Sequence, residues 1–132
     1  MGLRDPGTGT GLTLEELTRI QRQFAEDRDW EQFHAPRNLT LALIGEVGEL
    51  AECFQWLGDD GAQPGLPGLS EEKRAHIGDE LADVLCYLVR LADVCKVDLS
   101  SAVLGKIEKN AEKYPADKVR GSSAKYTAYR TD

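Results

Sequence analysis

The clearest chemistry in this chain rests on two pairs of carboxylates, Glu46 with Glu49 and Glu80 with Asp83. Each pair is spaced i, i+3 in a stretch whose apolar periodicity reads as helix, so both members face one side. Two such faces packed together bring up to four negative groups into a small volume. Like charges at that range repel and raise each other's pKa unless a cation lies between them. Oxygen-only ligands ask for a hard ion, Mg²⁺ first, with Mn²⁺ and Ca²⁺ behind it. One E-x-x-E is commonplace on a solvated face. Two, both embedded in apolar helices, are costly unless paired or metal-bound. Spacing leaves one choice open, because Asp79 and Asp83 share a face at i, i+4 and compete with the pair containing Glu80. Glu52 is turned well away from Glu46 and reads as surface or ion-paired.

The elements that must position these groups are all helical. Thr13 and Glu16 form a capping box, and Leu14, Leu17, Ile20 and Phe24 give the first helix one apolar face to about Asp27. Asp29 to Arg37 is an irregular link whose rings, Trp30, Phe33 and His34, either plug the end of a bundle or line a pocket. A second helix is predicted from about Asn38 to Trp56, with Leu39, Leu43, Val47, Leu50 and Phe54 as its stripe. Gly45 and Gly48 interrupt it beside the first carboxylate pair, and imply close helix packing, close approach of a ligand, or both. Residues 57–69 are a turn-rich loop without the ligand spacing of a calcium loop. Ser70 caps a third helix that extends to about Lys96 and is apolar on nearly every side from Leu81 to Cys95. One protomer has few helices to cover it, so an oligomer is expected. Asp98 caps a fourth helix, Leu99 to about Lys113, which Pro115 ends. The expected layout is a disordered segment 1–12, one domain at 13–115 and a polar tail at 116–132.

Composition narrows the partners. With 132 residues and a net charge of −7, the chain is unsuited to a nucleic-acid polymer or an anionic membrane. A small polyanion remains accessible, since metal ions bridge carboxylates to phosphates. Cys53, Cys86 and Cys95 are odd in number, form no C-x-x-C pair and read as reduced core thiols of a reducing compartment. The start lacks the apolar core of a secretory signal, and no run approaches a membrane span. A soluble, cytoplasmic protein is expected.

Several single residues could serve a ligand. Trp30 and Trp56 bracket the second helix and either pack in a core or wall a flat ring. His34 reads as a hydrogen-bonding group near the link, His76 as exposed. Tyr87 lies one turn beyond Asp83, where its hydroxyl could reach a ligand. The lysines of the fourth helix are either solvated or neutralise phosphate. No P-loop, dinucleotide fingerprint or Ser/His/Asp set is present, so phosphate handling would go through metal and lysine.

The string Asp29-Trp-Glu-Gln-Phe-His34, followed by Pro36-Arg-Asn-Leu, Gly45-Glu-Val-Gly-Glu-Leu-Ala-Glu52 and Phe54-Gln-Trp56, closely resembles the dCTP pyrophosphatase branch of the MazG-like nucleoside triphosphate pyrophosphohydrolases. The likeness runs on through Asp79-Glu-Leu-Ala-Asp-Val, Lys106-Ile-Glu-Lys-Asn110, Tyr114-Pro115, Arg120-Gly-Ser and Lys125-Tyr-Thr127. It implies an all-α, four-helix MazG-like protomer in a homotetramer, a dimer of dimers. By the same resemblance Glu46, Glu49, Glu80 and Asp83 are Mg²⁺ ligands and the catalytic set, which selects Glu80 over Asp79. Trp30, His34, Trp56 and Tyr87 fall on nucleotide-contacting positions, and Lys106 and Asn110 on a K-x-x-x-N segment near the phosphates. The implied reaction is hydrolysis of dCTP, including 5-modified forms such as 5-methyl-dCTP, to dCMP and pyrophosphate, cleansing the nucleotide pool. There is one departure: where animal members of the branch carry a substrate-contacting histidine, this chain has Gln21, so base or sugar contacts are expected to differ. The competing readings are the same chemistry on dUTP or a non-canonical triphosphate, and a helical interaction module without catalysis.

Overall fold

Helices begin where a side chain or a proline deals with the first free amides. In the computed structural model, which describes residues 9–129, Thr13 caps α1 (Leu14–Asp27). The box is reciprocal: the Glu16 amide donates to Thr13 Oγ1 at 3.0 Å, and the Thr13 amide to Glu16 Oε2 at 3.1 Å. α2 (Pro36–Gln55) starts two residues ahead of the expected Asn38, because Pro36 takes the first helical position, where a missing N–H costs nothing. Ser70 caps α3 (Glu71–Val94), accepting from the Lys73 amide at 3.2 Å. Asp98 caps α4 (Leu99–Lys113), accepting from the Ser101 amide at 3.1 Å. A short α5 (Ala116–Val119) follows Pro115, in a stretch expected as tail. Single 3₁₀ turns occupy Glu31–Phe33 and Tyr126–Tyr129. Among the described residues there is no strand, and no helix is long and apolar enough to cross a membrane.

Two helix ends share a device that spacing did not reveal. After α1, Asp29 adopts φ 54°, while the Trp30 amide reaches back to the Ala25 carbonyl at 2.9 Å and the Asp29 amide to that of Glu26 at 3.1 Å. After α3, Lys96 adopts φ 58°, with the Val97 amide on the Ala92 carbonyl at 2.9 Å and the Lys96 amide on that of Asp93 at 3.0 Å. Both are Schellman closures with a non-glycine residue in the left-handed position. The first delivers Trp30 directly into the link.

The chain divides into two compact units, Met1–Val97 and Asp98–Asp132, a division that falls inside the 13–115 stretch expected as one domain. In the first unit α3 packs against both α1 and α2. Its buried apolar set is Leu17, Ala25, Leu39, Ile77 and Val89. Much else stays uncovered: Leu41 and Ile44 on α2 are 62% and 61% exposed, and Leu81, Leu85 and Leu88 on α3 are also exposed. Burying a leucine or isoleucine side chain stabilises by about 1.5–3 kcal/mol, so these faces hold unused driving force. A Cβ added at Gly45 or Gly48 would meet nothing within 4 Å. Close packing inside this chain is therefore not why α2 carries them. Cys53 and Cys86 are half-buried and Cys95 is exposed at the end of α3; all three are free thiols. The second unit comprises α4, α5 and the turn after them. Of the segment expected to be unstructured, residues 1–8 lie outside the described residues and residues 9–12 carry no helix; residues 130–132 of the expected tail also lie outside them.

Candidate active site

α2 and α3 pack so that three of the four candidate carboxylates meet. One ligand oxygen each from Glu46, Glu80 and Asp83 can be chosen within 4.8 Å of one another. Glu80 is buried and Glu46 half-buried, while Asp83 is exposed. Glu46 Oε2 and Glu80 Oε2 are buried and receive no hydrogen bond among the described residues. Burial, then the Glu49 carboxyl beside it, then Asp83 and Glu80, push the Glu46 carboxyl up to about 7. Burial and Glu49 also raise Glu80, against the pull of His76, whose Nε2 is 3.7 Å from Glu80 Oε1. Glu49 thus stands next to the trio without belonging to it. Two orphaned carboxylate oxygens in a cluster of like charge fit a divalent oxygen-seeking cation. Asp79 is exposed and outside the cluster.

Two members of the trio line separate concavities of the first unit, Glu80 the one and Asp83 the other. A cleft of about 840 Å³ is lined by Glu49, Glu80, Trp56, Lys73 and His76 among others. A smaller cavity of about 210 Å³ is lined by Asp83, Gln21, Trp30, His34, Tyr87 and the buried Arg90, with Phe24 beside them. Phe24 and Trp30 meet edge to face with centroids 5.8 Å apart, and the His34 ring stands 6.4 Å from that of Trp30. The two tryptophans do not form one sandwich. α2 has 20 residues and is therefore about 30 Å long; Trp30 precedes it and Trp56, 87% exposed, ends it.

His34 is anchored by Arg90 of α3 and, through it, by Asp93 of α3 and Arg22 of α1. Arg90 is 6% exposed; its Nε donates to His34 Nδ1 at 3.0 Å and its Nη1 to Asp93 Oδ2 at 2.9 Å. Asp93 in turn accepts from Arg22 Nη2 at 2.6 Å and Nε at 3.1 Å. The hydrogen bond from Arg22 holds the Asp93 carboxyl below its usual range. Burial first, then Arg90, lower the His34 pKa, with Glu31 opposing. Arg90 and Asp93 could have been suspected from their i, i+3 spacing in an otherwise apolar run. His76 and Lys73 could have been suspected from their positions one and two turns before Glu80. The reach from Arg90 to His34, 56 residues apart, had no local signal. Lys106 and Asn110 lie on α4, in the second unit.

The sequence model of the MazG-like family matches residues 44–128, a stretch containing all four carboxylates. dCTP pyrophosphatase 1 of Homo sapiens is 57% identical over 115 residues, covering 87% of this chain and 66% of that protein. dCTP pyrophosphatase 1 of Rattus norvegicus is 55% identical over the same length with the same coverage. The chain thus spans just under two thirds of the length of these relatives. A pyrophosphatase of known crystal structure from Archaeoglobus fulgidus superposes with a TM-score of 0.69 at 37% identity, over 81% of this chain and 96% of that one. A family match across both carboxylate helices, joined to the helical fold and the acidic cluster, leads to one statement of kinship: the chain belongs to the MazG-like family.

Proposed function

We propose that the chain is a Mg²⁺-dependent nucleoside triphosphate pyrophosphohydrolase that converts dCTP, and 5-modified dCTP, to dCMP and pyrophosphate. The observation that carries this reading is the convergence of Glu46, Glu80 and Asp83 oxygens within 4.8 Å, two of the residues offering a buried oxygen with no donor. The substrate is argued from the 57% identity to the human dCTP pyrophosphatase 1 and from the ring-lined cavity beside Asp83. Mg²⁺ supplies charge neutralisation for the triphosphate and lowers the pKa of a water. Glu46, Glu80 and Asp83 would hold it, with Glu49 beside them on the cleft side.

The remaining residues bind and orient. Trp30, His34 and Tyr87 receive the base in the smaller cavity, and Gln21 contributes a neutral amide to the same wall. Trp56 lines the larger cleft, where Lys73 and His76 face the triphosphate. Lys106 and Asn110 hold phosphate oxygens by analogy with the family's K-x-x-x-N segment. The protomer assembles as a homotetramer in the cytoplasm, burying the exposed leucines of α2 and α3.

The test is pyrophosphate release from a panel of canonical and 5-modified nucleoside triphosphates, in Mg²⁺ and in EDTA. The expected result is Mg²⁺-dependent release strongest for dCTP and its 5-modified forms. Comparable turnover of purine triphosphates would reject the cytosine preference. Silence on every substrate from a folded oligomer would reject the enzyme reading.

A further inference from the structure

A guanidinium only donates hydrogen bonds. The Arg90 Nε contact at 3.0 Å therefore requires a lone pair on His34 Nδ1, and the ring's remaining hydrogen must sit on Nε2. We propose that Arg90, clamped by Asp93 and Arg22, is a positioning residue that fixes His34 as its neutral Nε2–H tautomer, so that His34 donates a hydrogen bond to an acceptor on the substrate's pyrimidine ring. This rests on the proposed function for the identity of the ligand, but not for the state of the histidine.

The clamp is built from both sides of the cavity wall. Nε of the Arg90 guanidinium faces His34, and its Nη1 faces Asp93, whose side chain is 9% exposed. Arg22 grips Asp93 through both oxygens from α1, so the guanidinium is held in plane rather than left to rotate. The charged groups around His34 are Arg90 and Asp83 from α3 and Glu31 from its own turn; Asp93 and Arg22 act through Arg90. Protonating Nδ1 would break the Arg90 bond and set two cations against each other. His34 is thereby kept a donor rather than a switch. O2 is an acceptor in cytosine, thymine and uracil alike, but N3 is an acceptor in cytosine and a donor in the other two. A fixed donor meeting N3 in a cavity lined by Trp30 and Tyr87 suits cytosine and sets two hydrogens against each other in thymine or uracil.

The chain has two histidines, so imidazole ¹⁵N–¹H correlation spectra of the nucleotide-free protein resolve the question directly, with His76 as internal reference. His34 is expected to show the neutral Nε2–H pattern and to keep it below the ordinary imidazole range. In Arg90→Met its midpoint should move up towards the ordinary 6.5 and the tautomers should mix. KM for dCTP should rise about tenfold, the worth of one hydrogen bond, with kcat nearly unchanged and the preference for dCTP over dTTP narrowed. An Nδ1–H pattern in the wild type, or a His34 spectrum unchanged in folded Arg90→Met, overturns the proposal. Should Arg90→Met fail to fold, Arg22→Gln, at a half-exposed site, should give a smaller shift in the same direction. A protein with the Nε2–H pattern but no turnover of dCTP would instead overturn the proposed function.

Discussion

Replacing Glu46 by Gln removes a charge but hardly any volume, and should make the metal-free protein more stable while disabling it. Glu46 faces Glu80 and Asp83 with ligand oxygens within 4.8 Å. Two unit charges at about 4 Å repel by about 1 kcal/mol in bulk water and about 4 kcal/mol at an effective dielectric of 20. Glu46 is half-buried and Asp83 exposed, so solvent screening holds their pair near the lower figure, while the pair with buried Glu80 lies above it. These two pairs, with the Glu49 carboxyl beside Glu46 adding to them, amount to at least about 2 kcal/mol. At neutral pH the Glu46 carboxyl, pushed up to about 7, is already partly protonated, which reduces the gain to about 1 kcal/mol. For a chain of this size that is a rise of about 3–5 °C in Tm. The assay is thermal unfolding in EDTA and across a Mg²⁺ or Mn²⁺ titration. The wild type should gain about 2.7 kcal/mol at a metal concentration one hundred times Kd. Glu46→Gln should start higher, gain little from metal, and release pyrophosphate from dCTP at least about a hundredfold more slowly. A variant that melts lower than the wild type in EDTA and keeps the full metal increment would refute the cluster as a metal site.

The same carboxyl sets a pH dependence. Its folded pKa lies above its unfolded value of 4.5, so its contribution to metal-free stability is complete below 4.5 and is lost as pH rises through about 7. Metal competes with that proton, so the Tm increment from Mg²⁺ should grow between about pH 6 and 8; an increment flat over that window would contradict the assignment. Lys96→Gly should stabilise the protein by up to about 1 kcal/mol in urea denaturation without changing turnover, because it relieves a side chain held at left-handed φ. Trp30→Ala should raise KM for dCTP by about tenfold to a hundredfold, the worth of a lost base–aromatic stack. An unchanged KM would move the base out of the smaller cavity.

What could be read from the sequence was what is decided locally. Thr13, Ser70 and Asp98 each sit within three residues of the amide they cap, so the starts of α1, α3 and α4 were legible. The start of α2 was misjudged because Pro36 needs no side-chain cap to begin a helix. The four acidic residues stood out because carboxylates in apolar helices demand an explanation. Which three of their oxygens meet depends on how α2 packs on α3, and periodicity does not encode that register. The His34–Arg90 contact and the separate cavities of Trp30 and Trp56 depend on helix length and crossing, so no window of sequence contains them. The apolar surplus of α3 was visible in sequence, and Leu81, Leu85 and Leu88 remain exposed in the single chain.

Gly45 and Gly48 have open space where a side chain could stand, and they flank Glu46 on α2. Each makes the helix about 1 kcal/mol easier to unwind than alanine would, so together they raise the frequency of local opening around Glu46 about thirtyfold. Backbone amides from Gly45 to Glu49 are then expected to exchange with deuterium ahead of the rest of the interior of α2. A cation held, as proposed, by Glu46, Glu80 and Asp83 would close this soft turn. Protection of a single helical turn thus becomes a direct report of site occupancy, readable without any substrate.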